Sequence, residues 1–206
     1  ILDQFASGAT AQQKIYVAGA AGEDVVLELD PSMLWQGKAP MLKRPRFLAV
    51  VSSSTLALTL ARKSNGQVDG FVIEGPRAGG HNAPPRGNLQ LNALGEPVYG
   101  TRDEPDLEQI RAIGRPFWLA GGYGHPHKFA EALALGAAGV QVGTAVAFCE
   151  ESGLAPELKR RVLEQVKAGA VEVRADPIAS PTGFPFQVVQ LKGTLSDKHL
   201  YARRRR

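Results

Sequence analysis

The chain has 206 residues, 44% of them hydrophobic, enough to close one domain around a core. Its formal net charge is +4, and Arg203-Arg204-Arg205-Arg206 alone supply that amount, so the body is near neutral and charge gives no support to a nucleic-acid role. Cys149 is the only cysteine, which excludes an internal disulfide and a thiolate metal cluster, and no apolar run reaches 18 residues, so no membrane-spanning helix is expected.

The chain opens at Ile1 rather than Met and closes inside the arginine run, so it is expected to be a piece of a longer protein. Residues 14–18 and 24–29 flank a Gly-Ala-Ala-Gly segment and read as a β-hairpin. Residues 31–46 are rich in Pro, Lys and Arg and read as a connection. A regular pattern then begins. Phe47 to Val51 is a continuous apolar run, as expected of a strand buried on both faces. Ser54 is placed to cap the next helix, which carries Leu56 and Leu60 one turn apart. Asp69 to Glu74 reads as the second strand of the series. Pro105 to Ile113 reads as a helix with Leu107, Ile110 and Ile113 on one side; Gly114 stops it and Pro116 prevents a restart.

Phe117 to Ala120 is the third strand, and Pro126 opens a helix with Phe129 and Leu133 expected inward, ended by Gly136. Gly139 to Val142 is the fourth strand, and a last helix near Pro156 to Ala168 carries Leu158, Val162 and Val166. Strand centres near 50 and 73, and near 118 and 141, are each 23 residues apart. Strand–helix units at that pitch build a parallel α/β sheet. The longer gap from 73 to 118 is taken up by a loop over 76–104, and long ordered loops in compact domains are usually functional. Four such units are half of an eightfold barrel, which needs about 250 residues; the alternative is a small open sheet of the flavodoxin or Rossmann type. Gly121-Gly122-Tyr123-Gly124 does not satisfy the dinucleotide fingerprint, and no acidic residue ends the following strand.

Three strand ends run into glycine: Phe71-Val72-Ile73-Glu74-Gly75 leading to Ala78-Gly79-Gly80-His81, Phe117-Trp118-Leu119-Ala120-Gly121-Gly122, and Gly139-Val140-Gln141-Val142-Gly143-Thr144. Together they suggest one shared ligand site above a parallel sheet. Backbone N–H groups of a glycine turn at a helix start form an anion site. Gly121, Gly122 and Tyr123 precede the helix opened by Pro126, and Gly143 and Thr144 end the next strand. A plain tight turn uses the same glycines, but two adjacent turns of this form favour phosphate.

Ala78-Gly79-Gly80-His81, Ala120-Gly121-Gly122 and Gly139-Val140-Gln141-Val142-Gly143-Thr144-Ala145, in this order, resemble the nitronate monooxygenase family, formerly 2-nitropropane dioxygenase. The FMN-dependent enoyl-ACP reductases share the three motifs. The resemblance covers residues 47–150 well and Ser180-Pro181-Thr182-Gly183 more loosely. It implies an α/β chain that is strands five to eight of an FMN-binding (β/α)₈ TIM barrel, with a β-hairpin insertion. On that basis 1–46 is a connecting segment, 47–150 half of the barrel, and 151–206 a C-terminal helix and irregular region. Such a half leaves two sheet edges open, so the working unit is expected to be larger.

The resemblance further implies FMN as cofactor, held by Gly79, Gly80, Ala120, Gly121, Gly122, Gln141, Gly143 and Thr144, with His81 as the catalytic residue. Imidazole titrates near neutral pH and can abstract a proton α to a nitro group or hold a developing anion. The expected reaction is oxidation of an alkyl nitronate with O₂; the alternative is an NAD(P)H-dependent FMN reductase acting on an enoyl thioester or a quinone. The expected partners are a small-molecule substrate and O₂, without nucleic acid or membrane, in the cytoplasm; a homodimer is compatible with this.

Among the remaining residues, Gln141 is expected inside the barrel with a partner for its amide, Glu74 at the pocket or paired with a nearby Arg, and Ser52 and Ser53 at the ligand or on the helix cap. His125 and His127 read as surface residues, and no metal site is expected. One position departs from the family pattern: many members carry Glu directly before Ala-Gly-Gly-His, and here Arg77 stands there.

Overall fold

The computed structural model describes residues 1–17, 25–35 and 40–204. In chain order its elements are α1 (Leu2–Ala6), β1 (Ala11–Ile15), β2 (Val25–Leu29), a 3-10 turn at Pro31–Leu34, β3 (Leu48–Val51), α2 (Ser54–Lys63), β4 (Gly70–Glu74), a 3-10 turn at Thr101–Asp103, α3 (Leu107–Ala112), β5 (Phe117–Ala120), α4 (Pro126–Ala134), β6 (Gly139–Gln141), α5 (Thr144–Ala147), α6 (Pro156–Lys167), β7 (Val173–Asp176), β8 (Phe186–Val189) and α7 (Lys198–Arg204).

The centre is a four-stranded parallel sheet in the order β3-β4-β5-β6. Spatial order follows sequence order, with no reversal of the kind a doubly wound sheet requires. All three intervening helices lie on one face. Val51, Phe71, Ile73, Phe117 and Leu119 point from the sheet into a buried cluster with Ala57 of α2, Ile110 of α3 and Ala132 of α4. Right-handed crossovers between sequential parallel strands put every helix on the same side. This arrangement sets aside the open flavodoxin or Rossmann alternative for the described strands.

Strand alternation gives the opposite face to Val50, Gly70, Val72, Glu74, Trp118, Ala120, Gly139 and Gln141. Trp118 lies between two glycines there: a Cβ on Gly70 would come 3.2 Å from its Cζ3, and one on Gly139 3.0 Å from its Cδ1. Glycine on both flanking strands makes room for the indole. Val50 is 54% exposed, so at the β3 edge no described residue covers this face.

Three local readings are corrected. Ser53, not Ser54, caps α2, its hydroxyl accepting from the Leu56 N–H at 3.1 Å. The inward residues of α2 are Ala57, Leu60 and Ala61, while Leu56 is exposed. On α4, Phe129 and Leu133 are exposed; Ala132 and Leu135 face the sheet instead. In both helices a one-turn spacing of large residues fixes a stripe but not which of two adjacent stripes is inward. Alanine takes the sheet-facing position because it lets the helix axis approach closely.

β1 and β2 pair antiparallel, Ala11 opposite Leu29 and Ile15 opposite Val25, so the hairpin is present but its first strand is Ala11–Ile15 and not 14–18, with Tyr16 and Val17 beyond its end; Ala18, Asp24 and the Gly-Ala-Ala-Gly turn lie outside the described residues. The region after 151 is more regular than its sequence suggests. β7 and β8 form a second antiparallel pair, Val173 opposite Val189 and Asp176 opposite Phe186. The 76–104 loop is ordered by its own side chains. Asp103 accepts from the N–H groups of Arg86 (2.7 Å) and Gly100 (2.8 Å), and Asn92 Oδ1 from those of Leu94 and Glu96. Among the described residues no helix is long and apolar enough to cross a membrane.

Candidate functional site

Parallel pairing brings the C-terminal ends of β4, β5 and β6 to one edge, with Glu74, Ala120 and Gln141 in a single cross-strand row. The loops leaving that edge form an open cleft of about 1090 Å³. All eight residues expected at the cofactor line it: Gly79 and Gly80 after β4; Ala120 at the end of β5 with Gly121 and Gly122 after it; Gln141 at the end of β6 with Gly143 and Thr144 after it. Sequence separation places them on three strands, and the sheet register brings them together.

The first two loops pack main chain against main chain. A Cβ on Gly121 would lie 2.8 Å from the Ala78 nitrogen and 3.1 Å from Arg77 C, and the backbone there has φ +98°. Only glycine fits both the space and the conformation. Gly122 also has positive φ, +82°, but a Cβ there would meet open space, as it would at Gly143. The third loop closes on the first, since Thr144 Oγ1 is 3.7 Å from the Cβ position of Gly79.

Helix termini contribute less than expected. The N-terminus of α4 is capped by His125, whose Nδ1 accepts from the His127 N–H at 3.3 Å. The His127 amide is therefore engaged by an imidazole that lies three residues downstream of the glycine turn. The two exposed rings stack at 5.2 Å. Among the described residues there is no group of three His, Cys, Asp or Glu that could hold a metal ion.

His81 does not line the cleft, although Gly80 beside it does. The backbone explains this. Gly80 C=O accepts from the Gln187 N–H (2.9 Å) and the Asn82 N–H donates to Pro185 C=O (2.8 Å), so the 80–82 segment extends the β8 side as a bridge opposite Phe186. The imidazole stands edge-to-face on Phe186 at 4.7 Å, with Nε2 2.6 Å from Ser180 Oγ. Ser180 is buried, and its Oγ lies 2.7 Å from Thr182 Oγ1. Asn82, 3% exposed, locks the turn from below by donating its amide to Ala78 C=O at 2.9 Å. Gln187 completes the clasp, its Nε2 donating to Pro76 C=O at 3.2 Å.

Sequence reasoning missed Gln187, Phe186 and Asn82. The run Phe184-Pro185-Phe186-Gln187-Val188-Val189 carried the signal for a strand, and Ser180 stood only in a loosely matching segment.

One further expectation is corrected, and one pair of alternatives is decided. Gln141 is exposed on the open face, and its amide has no partner among the described residues. Of the two positions expected for Glu74 the structure shows the first: it lines the cleft and pairs with no Arg among the described residues. It is half-buried without a hydrogen bond or ion pair among the described residues, and burial pushes its carboxyl above the ordinary carboxylate range. Glu74 also borders a small cavity of about 20 Å³ with Ser52, Arg86, Tyr99 and Asp103, large enough for about one water.

A parallel α/β sheet with a glycine-walled cleft at its carboxyl edge defines a ligand-binding scaffold. The chain belongs to the nitronate monooxygenase family, whose model matches residues 38–176. It is 33% identical over 127 residues to a probable nitronate monooxygenase of Bacillus subtilis, covering 62% of this chain and 35% of that protein. It is also 33% identical over 124 residues to a (3aS,4S,5R,7aS)-5-hydroxy-7a-methyl-1-oxo-octahydro-1H-indene-4-carboxyl-CoA dehydrogenase of Mycobacterium tuberculosis, covering 60% of this chain and 32% of that protein. The chain thus spans about a third of the length of these curated relatives. A FabK mutant of Thermotoga maritima is similar in structure over 70% of this chain and 40% of its own, with 24% identity and a TM-score of 0.45.

Proposed function

We propose that this chain is the C-terminal half of an FMN-binding (β/α)₈ barrel, in a protein that oxidises alkyl nitronates with O₂ to carbonyl compounds and nitrite. Residues 47–150 would be the barrel half, 1–46 its connecting segment and 151–206 its C-terminal region. The carrying observation is the convergence of three glycine loops on one cleft. Its volume, about 1090 Å³, is at the upper end of ligand sites.

The residues suit FMN. Gly122 and Gly143 leave the main chain open where a Cβ would otherwise stand, and the Thr144 hydroxyl adds a donor beside Gly79. Gly79, Gly80, Ala120, Gly121, Gly122, Gln141, Gly143 and Thr144 would hold the cofactor. When bound, FMN supplies the redox chemistry, and the protein supplies orientation and electrostatics.

His81 would accept the proton α to a nitro group at Nε2 or steady the resulting anion. Ser180 Oγ, 2.6 Å from that nitrogen, holds the ring in place on the edge of Phe186. Access to substrate then requires Nε2 to exchange its Ser180 contact for the ligand, a side-chain rotation that its exposed position permits. The single cysteine suits a cytoplasmic setting. The relative named as a dehydrogenase supports a second reading, an NAD(P)H-dependent FMN reductase.

The complete gene product should purify yellow with FMN and oxidise propionate 3-nitronate. His81→Asn should keep the flavin and lose roughly 10²–10⁴ in turnover of a neutral nitroalkane, the usual share of acid–base catalysis, while a preformed nitronate suffers much less. Wild-type rates on both substrates would remove His81 from the chemistry. Rapid anaerobic bleaching by NAD(P)H would favour the reductase instead.

A further inference from the structure

The cleft wall carries two ionisable groups of opposite sign that do not meet. Arg77 is its only cation and Glu74 its only carboxylate among the described lining residues. They stand three positions apart on the same strand end, yet neither has a hydrogen bond or ion pair among the described residues. The described arginines that do share ion pairs, Arg44, Arg111, Arg160 and Arg174, all lie outside the cleft lining. The rest of the wall is glycine, apolar side chains from alanine up to Leu163 and Phe148, and neutral polar groups such as Gln141 and Thr144.

An unpaired guanidinium above such a wall sets the sign of the ligand group that lands there. Its planar fork matches a carboxylate or phosphate through two parallel hydrogen bonds. The main chain under Arg77 is fixed, because Ala78 and Arg77 C pack directly on Gly121. The side chain itself is exposed and free to swing over the cleft mouth.

We propose that Arg77 is the docking point for an oxyanion on the substrate, remote from the reacting atom, so that the cleft selects substrates bearing a carboxylate or phosphate at their far end. The assignment rests on the cleft being the substrate site. Arg77 leaves β4, whereas the glycine turns suited to a cofactor phosphate follow β5 and β6, so the two anions have separate seats. Glu74 forms no ion pair with Arg77 among the described residues, and burial pushes its carboxyl above the ordinary carboxylate range.

The test measures binding to the flavin-loaded complete gene product by calorimetry, with two pairs of probes. 3-Nitropropionate against 1-nitropropane differs by a carboxylate, and 4′-phosphopantetheine against pantetheine differs by one phosphate. In the wild type the anionic member of at least one pair should bind more tightly. Arg77→Met should weaken that member by roughly ten- to hundredfold and leave its uncharged partner within about twofold; Arg77→Lys should keep part of the preference. The pair that responds identifies the source of the oxyanion.

Equal losses for both members of a pair, or no preference in the wild type, would overturn the proposal. So would loss of FMN from Arg77→Met, which would assign the guanidinium to the cofactor. Nitronate turnover is measured separately. A wild type that oxidises no nitronate, yet loses anion selectivity in Arg77→Met, refutes the reaction and upholds Arg77; nitronate oxidation untouched by Arg77→Met, with flat selectivity, does the reverse.

Discussion

Replacing Gly121 by alanine probes the contact on which the cleft is built. Two costs add. The backbone at φ +98° is a conformation that an L side chain adopts at roughly 1–3 kcal/mol. The new Cβ would also sit 2.8 Å from the Ala78 nitrogen and 3.1 Å from Ala78 Cα, atoms of a main chain that Asn82 and Gln187 hold in place. Overpacking against an immovable neighbour adds roughly 1–3 kcal/mol. The expected total is about 2–6 kcal/mol, read from urea unfolding midpoints of the complete gene product. Gly122→Ala is the internal control: its φ of +82° carries the backbone cost, but its Cβ meets nothing within 4 Å. It should therefore lose only about 1–3 kcal/mol. The difference between the two variants isolates the contact between loops. Equal destabilisation by both substitutions would refute the idea that the β4 and β5 loops are packed against each other through Gly121.

Two further outcomes follow from the same structure. Gly143→Asp, where φ is −108° and space is open, should fold normally and raise the Kd for FMN by at least about tenfold, because a carboxylate would stand where phosphate is expected; fluorescence titration giving an unchanged Kd in the folded variant removes Gly143 from the site. At the opposite end of the sheet, the Phe47 N–H at 2.6 Å and the Arg44 guanidinium at 2.7 Å hold the Asp69 carboxyl below its ordinary range. A lowered native value contributes stability that is present above the unfolded carboxylate pKa of about 3.9 and fades as pH falls through the native value. Urea midpoints should therefore drop more steeply in the wild type than in Asp69→Asn as pH falls below about 4, and parallel profiles would exclude Asp69 as a source of acid lability.

What could be read from the chain depended on how continuous its apolar runs are. β3, β4 and β5 were legible because Phe71, Ile73, Phe117 and Leu119 are buried strand residues whose neighbours are also apolar, and glycine marks where each run stops. The cleft was legible for the same reason, since its wall is made of those stopping points. β7 was not: Val173 is exposed, Arg174 and Asp176 are half-buried, and a half-covered four-residue strand leaves little periodic trace. Contacts between distant segments left none at all. Nothing near His81 in sequence announces Ser180 or Phe186, and nothing near Glu74 announces that Arg77 leaves it unpaired. The inward alanines of α2 and α4 escaped notice because larger residues stood one position away.

The bridge between His81 and Phe186 ties together positions 186 − 81 = 105 residues apart. Closing a flexible loop of that length costs about 4 kcal/mol by the (3/2)RT ln n rule, before its constant. The βα units need only neighbours about 23 residues away. Sheet and site are therefore separable in time. Local pairing is expected to favour early condensation of the sheet, and the long-range bridge between the 80–82 segment and β8 is expected to form later. The paired strands do not depend on that bridge, and chain cleavage between 150 and 180 is expected to leave them standing with the 80–82 segment detached from β8.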